Sequence, residues 1–155
     1  MSLVKRIEAD TIIAMKEKHA ERTSVLRMMK AGIKSKEIEK RAPLTDSEVQ
    51  QVLTTMLKQR HESVEQFTKG GRKDLAEKET WEISVIEQYL PKAASESEIR
   101  AIVNGVVTDL IAAGTEQGPT SLGVTIKAVQ AKIQELGLRA EGRVVSELVK
   151  ARLTQ

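Results

Sequence analysis

The sequence predicts an all-α protein. It should form an N-terminal four-helix domain with a long helical hairpin over residues 1–91, then a small three-helix bundle over residues 95–155. Three observations predict this. Ala, Leu, Glu, Lys, Gln and Arg, which lose little on entering a helix, dominate the chain. Apolar residues recur at three- and four-residue spacing in one stretch after another. The stretches are separated by helix punctuation: Ser or Thr three residues before Glu, or Gly and Pro. A chain of 155 residues can bury a core or build two small lobes.

The first helix is capped by Ser2 and carries Leu3, Ile7 and Ala14 on one side; a short turn is expected over His19 to Arg22. The second carries Leu26, Met29 and Ile33 and stops at Arg41-Ala42-Pro43, because proline disfavours helix in the residue before it. Thr45 and Glu48 make a capping box for the third, with Leu44 and Val49 placed as a hydrophobic staple. Its stripe runs through Val49, Leu53, Met56, Val64 and Phe67, and Gly70 or Gly71 can take the left-handed conformation that ends it.

The fourth helix, from about Lys73 to Tyr89, has a main row of Leu75, Ile83, Ile86 and Leu90. A second row holds Trp81, Val85 and Tyr89, and Pro91 closes the helix. Lys92-Ala93-Ala94 reads as a domain link. Ser95 and Glu98 then repeat the capping box for a fifth helix with Ile99, Val103, Val106 and Leu110, ending near Gly114. Thr120 or Ser121 can cap a sixth with Ile126, Val129 and Ile133, stopped by Gly137. The last carries Val145, Leu148 and Leu153. Pairs such as Val106-Val107 lie inside helical spacing, so no strand is expected.

Much chemistry is excluded. Without Cys there is no disulfide, thiolate ligand or thiol nucleophile. The two histidines, His19 and His61, sit beside charged residues and read as solvated surface; zinc normally wants three or four protein ligands. No phosphate-loop spacing and no calcium-loop pattern occurs, so neither cofactor nor metal is expected. No apolar run approaches the ~20 residues of a membrane span. Residues 1–18 lack the apolar core of a signal peptide, so a cytoplasmic protein is expected.

Four groups remain as site candidates, and none makes a catalytic constellation. Lys69, Gly70, Gly71 and Arg72 read either as a hairpin turn or as an anion-contact tip, through open backbone N–H groups flanked by cations. Glu79 and Glu82 share a helix face, as an ion-pair surface or an acid–base pair; Lys58, Arg60 and Ser63 are placed to pair with Asp74, Glu79 or Glu82 across the hairpin. Trp81, the only Trp, with Val85 and Tyr89, packs in the core or faces a partner. Lys127, Lys132, Arg139, Arg143 and Lys150 give the C-terminal third a basic bias, and Lys30, Lys34, Lys36, Lys40 and Arg41 form another basic cluster. The net charge of +3 permits nucleic-acid contact without demanding it.

The stretch Lys58 to Pro91 resembles the GatB/YqeY domain family. The resemblance rests on Lys58-Gln59-Arg60, Ser63, Phe67, Gly71-Arg72, Asp74-Leu75, Lys78-Glu79, Glu82-Ile83, Ile86 and Tyr89-Leu90-Pro91. It extends to Ala14-Met15, Leu26-Arg27 and Lys30-Ala31 before the hairpin, and to Leu122-Gly123, Gly137, Arg139-Ala140-Glu141-Gly142 and Val145-Ser146-Glu147-Leu148-Val149 after it. Where the family shows lysine after the glycine of the sixth helix, this chain has Val124; where it often has Asp before the last helix, this chain has Glu141.

Family members resemble the helical tail of the GatB subunit of tRNA-dependent amidotransferases, glutamine-using carbon–nitrogen ligases whose catalytic centres lie elsewhere. The resemblance therefore implies a non-catalytic, tRNA-binding accessory protein, with tRNA and an amidotransferase or aminoacyl-tRNA synthetase as partners. The alternative is a protein-interaction module that docks on a larger enzyme.

Overall fold

The structure is a computed structural model and describes residues 1–154. Within them the chain forms seven α-helices, a 3-10 turn and two two-residue strands. It divides into two compact units, Met1–Leu90 and the residues from Pro91 onward.

The first unit is built from α1 (Leu3–Lys16), α2 (Ala20–Lys40), α3 (Asp46–Lys69) and α4 (Lys73–Glu87). Ser2 Oγ accepts the Lys5 N–H at 3.2 Å, and the Leu3 N–H donates to Asp46 Oδ1 at 3.0 Å, which ties the start of α1 to the start of α3. Lys18 adopts a left-handed φ of 57° and closes α1. The turn expected over His19 to Arg22 is shorter: α2 begins at Ala20, and His19 Nδ1 caps it by accepting the Arg22 N–H at 3.3 Å. Thr45 Oγ1 accepts the Glu48 N–H at 3.2 Å, as a cap should. The Glu48 carboxylate instead reaches Lys40 Nζ at 2.7 Å, joining the ends of α2 and α3.

The core of this unit buries Ile7, Leu26, Met29, Val49, Leu53, Leu57, Ile83 and Ile86. Each such side chain contributes about 1.5–3 kcal/mol by leaving water. Leu44 packs against the core that buries Val49, the arrangement of a staple. At 1.5 Å per residue the 24-residue α3 is roughly 36 Å long. Between Arg60 and Ala76 no residue is buried, so the far end of the α3–α4 hairpin holds together through half-buried Val64, Phe67 and Leu75.

The second unit contains α5 (Glu96–Ala112), α6 (Leu122–Glu135) and α7 (Gly142–Leu153) around Ile99, Val103, Val107, Val129, Ile133, Val145 and Val149. Ser95 Oγ caps α5 by accepting the Glu98 N–H at 3.2 Å. Ser121 precedes α6, but its hydroxyl turns back to the Gly118 carbonyl at 2.9 Å and accepts the Gly118 N–H at 3.0 Å. The expectation of no strand is corrected here: β1 (Lys92–Ala93) pairs in parallel with β2 (Leu138–Arg139). Ala94 also donates to the Arg139 carbonyl at 2.8 Å, so 92–94 is paired chain within the second unit. Two-residue strands are too short to show an alternating pattern, so nothing in the residue order announces them.

Candidate functional site

The most enclosed of the ion pairs lies where α2, α3 and α4 meet. Arg60 on α3 and Glu82 on α4 are one helical hairpin apart, and their side chains are 11% and 10% exposed. Arg60 Nε donates to Glu82 Oε2 at 3.2 Å, one Nη to the Met56 carbonyl at 3.3 Å, and the other approaches Met28 Sδ at 3.6 Å. The guanidinium is therefore held on three sides. Of the three residues placed to pair across the hairpin, Arg60 does so; Ser63 donates to the Gln59 carbonyl at 3.1 Å, and Lys58 stays exposed.

Glu79 stands beside Glu82, lining the same cleft of about 400 Å³ with Ser24, Ser63 and Lys78. Burial first, and the neighbouring Glu82 second, push the Glu79 carboxyl above its ordinary range; Arg60 and Lys78 pull it part of the way back. No nucleophile with a base and no acid–base pair aimed at a substrate position is assembled here, so the group reads as a charge cluster that can bind.

The hairpin tip differs from the open anion cradle that the sequence allowed. Gly71 takes φ 73°, and the three N–H groups there are spent: Gly70 donates to Gln66 O (2.9 Å), Gly71 to Thr68 O (3.2 Å) and Arg72 to Phe67 O (2.8 Å). This is the Schellman closure of a helix end, which consumes the donors a phosphate would need. Lys69 pairs with Glu65 at 2.9 Å and Arg72 with Asp74 at 3.2 Å. Each partner holds the carboxyl below its usual range through the hydrogen bond first.

The second row of α4 is also corrected. Val85 and Tyr89 are 2% and 3% exposed and belong to the core, so they do not face a partner. The Tyr89 hydroxyl donates to Asp10 Oδ2 at 2.6 Å, and the Arg6 guanidinium lies 4.7 Å from the ring centroid. Burial, then Asp10, push the phenol up to about 12. Trp81 is half-buried: one side packs against the core, and its ring stacks on His19 at 6.0 Å with planes 7° apart. His19 thus both caps α2 and covers Trp81, a role its charged neighbourhood did not announce.

In the second unit Lys127 and Lys132 are exposed on α6, and Arg143 and Lys150 on α7. Lys132 pairs with Glu135 at 3.5 Å and Arg143 with Glu147 at 3.7 Å, each one turn along its own helix. Arg139 is half-buried and donates through Nε to the Pro91 carbonyl at 2.9 Å, so it braces the β1 segment. Four of the five cations are therefore exposed, two on each of two neighbouring helices, while the fifth has a structural task. Among the described residues no cluster of three acidic or histidine side chains is placed to hold a metal ion, and no helix is long and apolar enough to cross a membrane.

Comparison with known proteins adds kinship to this geometry. The model of the family described as "Yqey-like protein" matches residues 4–153. The chain is similar to a Lachancea thermotolerans protein named "Altered inheritance of mitochondria protein 41, mitochondrial", 30% identical over 98% of this chain and 79% of that one. The protein of the same name from Kluyveromyces lactis is 36% identical over 67% of this chain and 58% of its own length. An uncharacterized protein of Schizosaccharomyces pombe is 35% identical over 53% of this chain and 67% of its own.

Proposed function

Because the chain belongs to the YqeY-like family, we propose that it is a non-catalytic accessory protein that binds tRNA through its second unit. The observation that supports this best is the common exposure of Lys127, Lys132, Arg143 and Lys150 on α6 and α7. The ion pairs of Lys132 and Arg143 do not oppose it. Exposed pairs are worth about 0–1 kcal/mol, so either cation can exchange its Glu for a phosphate. Contacts of this kind read shape and backbone charge, as expected of a protein on folded RNA. The likeness to the amidotransferase tail makes a tRNA-dependent amidotransferase or an aminoacyl-tRNA synthetase the protein partner of this reading.

Titration of labelled total tRNA by fluorescence anisotropy at two salt concentrations, with duplex DNA as competitor, tests it. Binding should weaken with a log–log salt slope of about −2.8 to −3.6 if these four cations each meet a phosphate, and DNA should compete poorly. Absence of binding at low salt overturns the reading. A cytoplasmic location belongs to the same proposal; the fungal relatives carry "mitochondrial" in their names, and imaging of the full chain in its host decides the compartment.

A second reading, a module that docks on a larger protein, is favoured by one observation: half-exposed Trp81 lies at the end of a hollow lined by Ala20, Ser24 and Lys78.

A further inference from the structure

The polar cleft at Arg60 does not stand alone. It shares Ser24, Lys78 and Glu82 with the hollow of about 230 Å³ that ends at Trp81. At its other side it shares Gln59 with a cavity of about 740 Å³ between α2 and α3, floored by Leu44, Val52 and Met56. The three hollows form one trough along α2, from Ser24 to Lys40, roughly 25 Å long at the helical rise.

Its walls are two helical rows. Val52, Met56, Gln59 and Ser63 follow i, i+4, i+7, i+11 on α3, and Ser24, Met28, Gly32 and Ser35 follow i, i+4, i+8, i+11 on α2. Gly32 faces the other wall directly: an added Cβ would lie 3.4 Å from Val52 Cγ1 and 3.6 Å from Met56 Sδ. With small residues on one wall and two methionines, the trough has the shape and the adaptable lining of a groove that accepts a third helix.

The charges are unevenly placed. At the Leu44 end Lys36 pairs with Glu39 and Lys40 with Glu48, which leaves that end neutral. At the other end Arg60 is committed to Glu82, Met56 and Met28, and Lys78 stands exposed at the rim. There Glu79, Glu82 and Glu21 outnumber the cations Arg60 and Lys78, and Glu79 is crowded by Glu82. An incoming cation relieves that crowding.

We infer that the α2–α3 trough is a docking groove for an amphipathic helix of a partner protein, apolar along the Val52–Met56 stretch and bearing a lysine or arginine that meets Glu79. An RNA strand is a poor fit, because the floor is apolar and the balance of charge at that end is negative. The inference goes beyond tRNA binding, which uses the other unit.

A display library of helix-forming peptides of about 16 residues, selected against the full chain, tests it. Enriched peptides should carry apolar residues at i, i+3 or i+4, and i+7, with Lys or Arg near one end. A selected peptide should lose at least tenfold in affinity on Glu79→Lys and, separately, on Gln59→Trp, which blocks the junction of the hollows. Both positions are outside the core, and melting curves check that each variant folds. Failure to enrich, enrichment of acidic peptides, equal affinity for the variants, or displacement of the peptide by tRNA would each overturn the inference.

Discussion

Arg60 and Glu82 carry the largest single-residue consequence in the molecule. Their mutual attraction offsets the cost of burying two charges only while both are present. Removing one partner leaves an uncompensated buried charge, so Arg60→Met and Glu82→Leu should each cost about 3–5 kcal/mol singly, whereas the two together should recover most of it. Urea denaturation of the four proteins of this cycle measures the coupling. Glu79 acts with the opposite sign. Its folded carboxyl titrates above the unfolded one, so its contribution is full below the ordinary carboxylate range and is lost as pH rises through the raised value. Glu79→Gln should therefore be more stable than the parent at pH 7, and the two should converge below about pH 4. If the gain persisted in acid, the crowding would not be its cause. The pairing of Arg60 with the fourth helix was legible, since a cation interrupting an apolar stripe must find a partner. The burial of Val85 and Tyr89 was not, because a second apolar row reads equally well as core or as interface.

Helix ends were the most legible elements. Ser2, Thr45 and Ser95 each accept the N–H three residues on, and Gly71, Gly114 and Gly137 each take positive φ just past a helix. Local chemistry decides such places, so local sequence reveals them. At Gly71 the backbone is open on all sides, and a Cβ meets nothing within 4 Å, so only the left-handed φ opposes a side chain. Gly71→Ala should thus destabilise by about 1–2 kcal/mol, while Gly70→Ala, at negative φ, should cost little. Thermal melts of the two variants separate backbone strain from packing. The same closure explains why the tip is a poor anion cradle: the sequence showed glycines and cations, but the hydrogen bonds of the closure depend on where the helix stops. The β1–β2 pair and the His19 cap were hidden for a related reason. Each is fixed by a partner distant in sequence or by a residue seldom used as a cap.

At the scale of the whole molecule, charge counts mislead and placement informs. The second unit has eight Lys or Arg against seven Asp or Glu, so it is no basic domain. Yet Lys127, Lys132, Arg143 and Lys150 on α6 and α7 are each exposed, and the ion pairs of Lys132 and Arg143 are weak ones to exchange. The basic row of α2 in the first unit, Arg27, Lys30 and Lys34, is equally exposed and is the natural control. Family membership came from spacing in the central hairpin; the trough did not, because it arises from two helices whose facing rows are separated in sequence. The most direct test is tRNA anisotropy with Lys127→Glu/Lys150→Glu beside Arg27→Glu/Lys30→Glu/Lys34→Glu, at low salt. The first variant should lose binding by tenfold or more and show a shallower salt slope, while the second keeps most of its affinity. Equal loss in both, or loss in the second alone, would contradict an RNA contact made by the second unit.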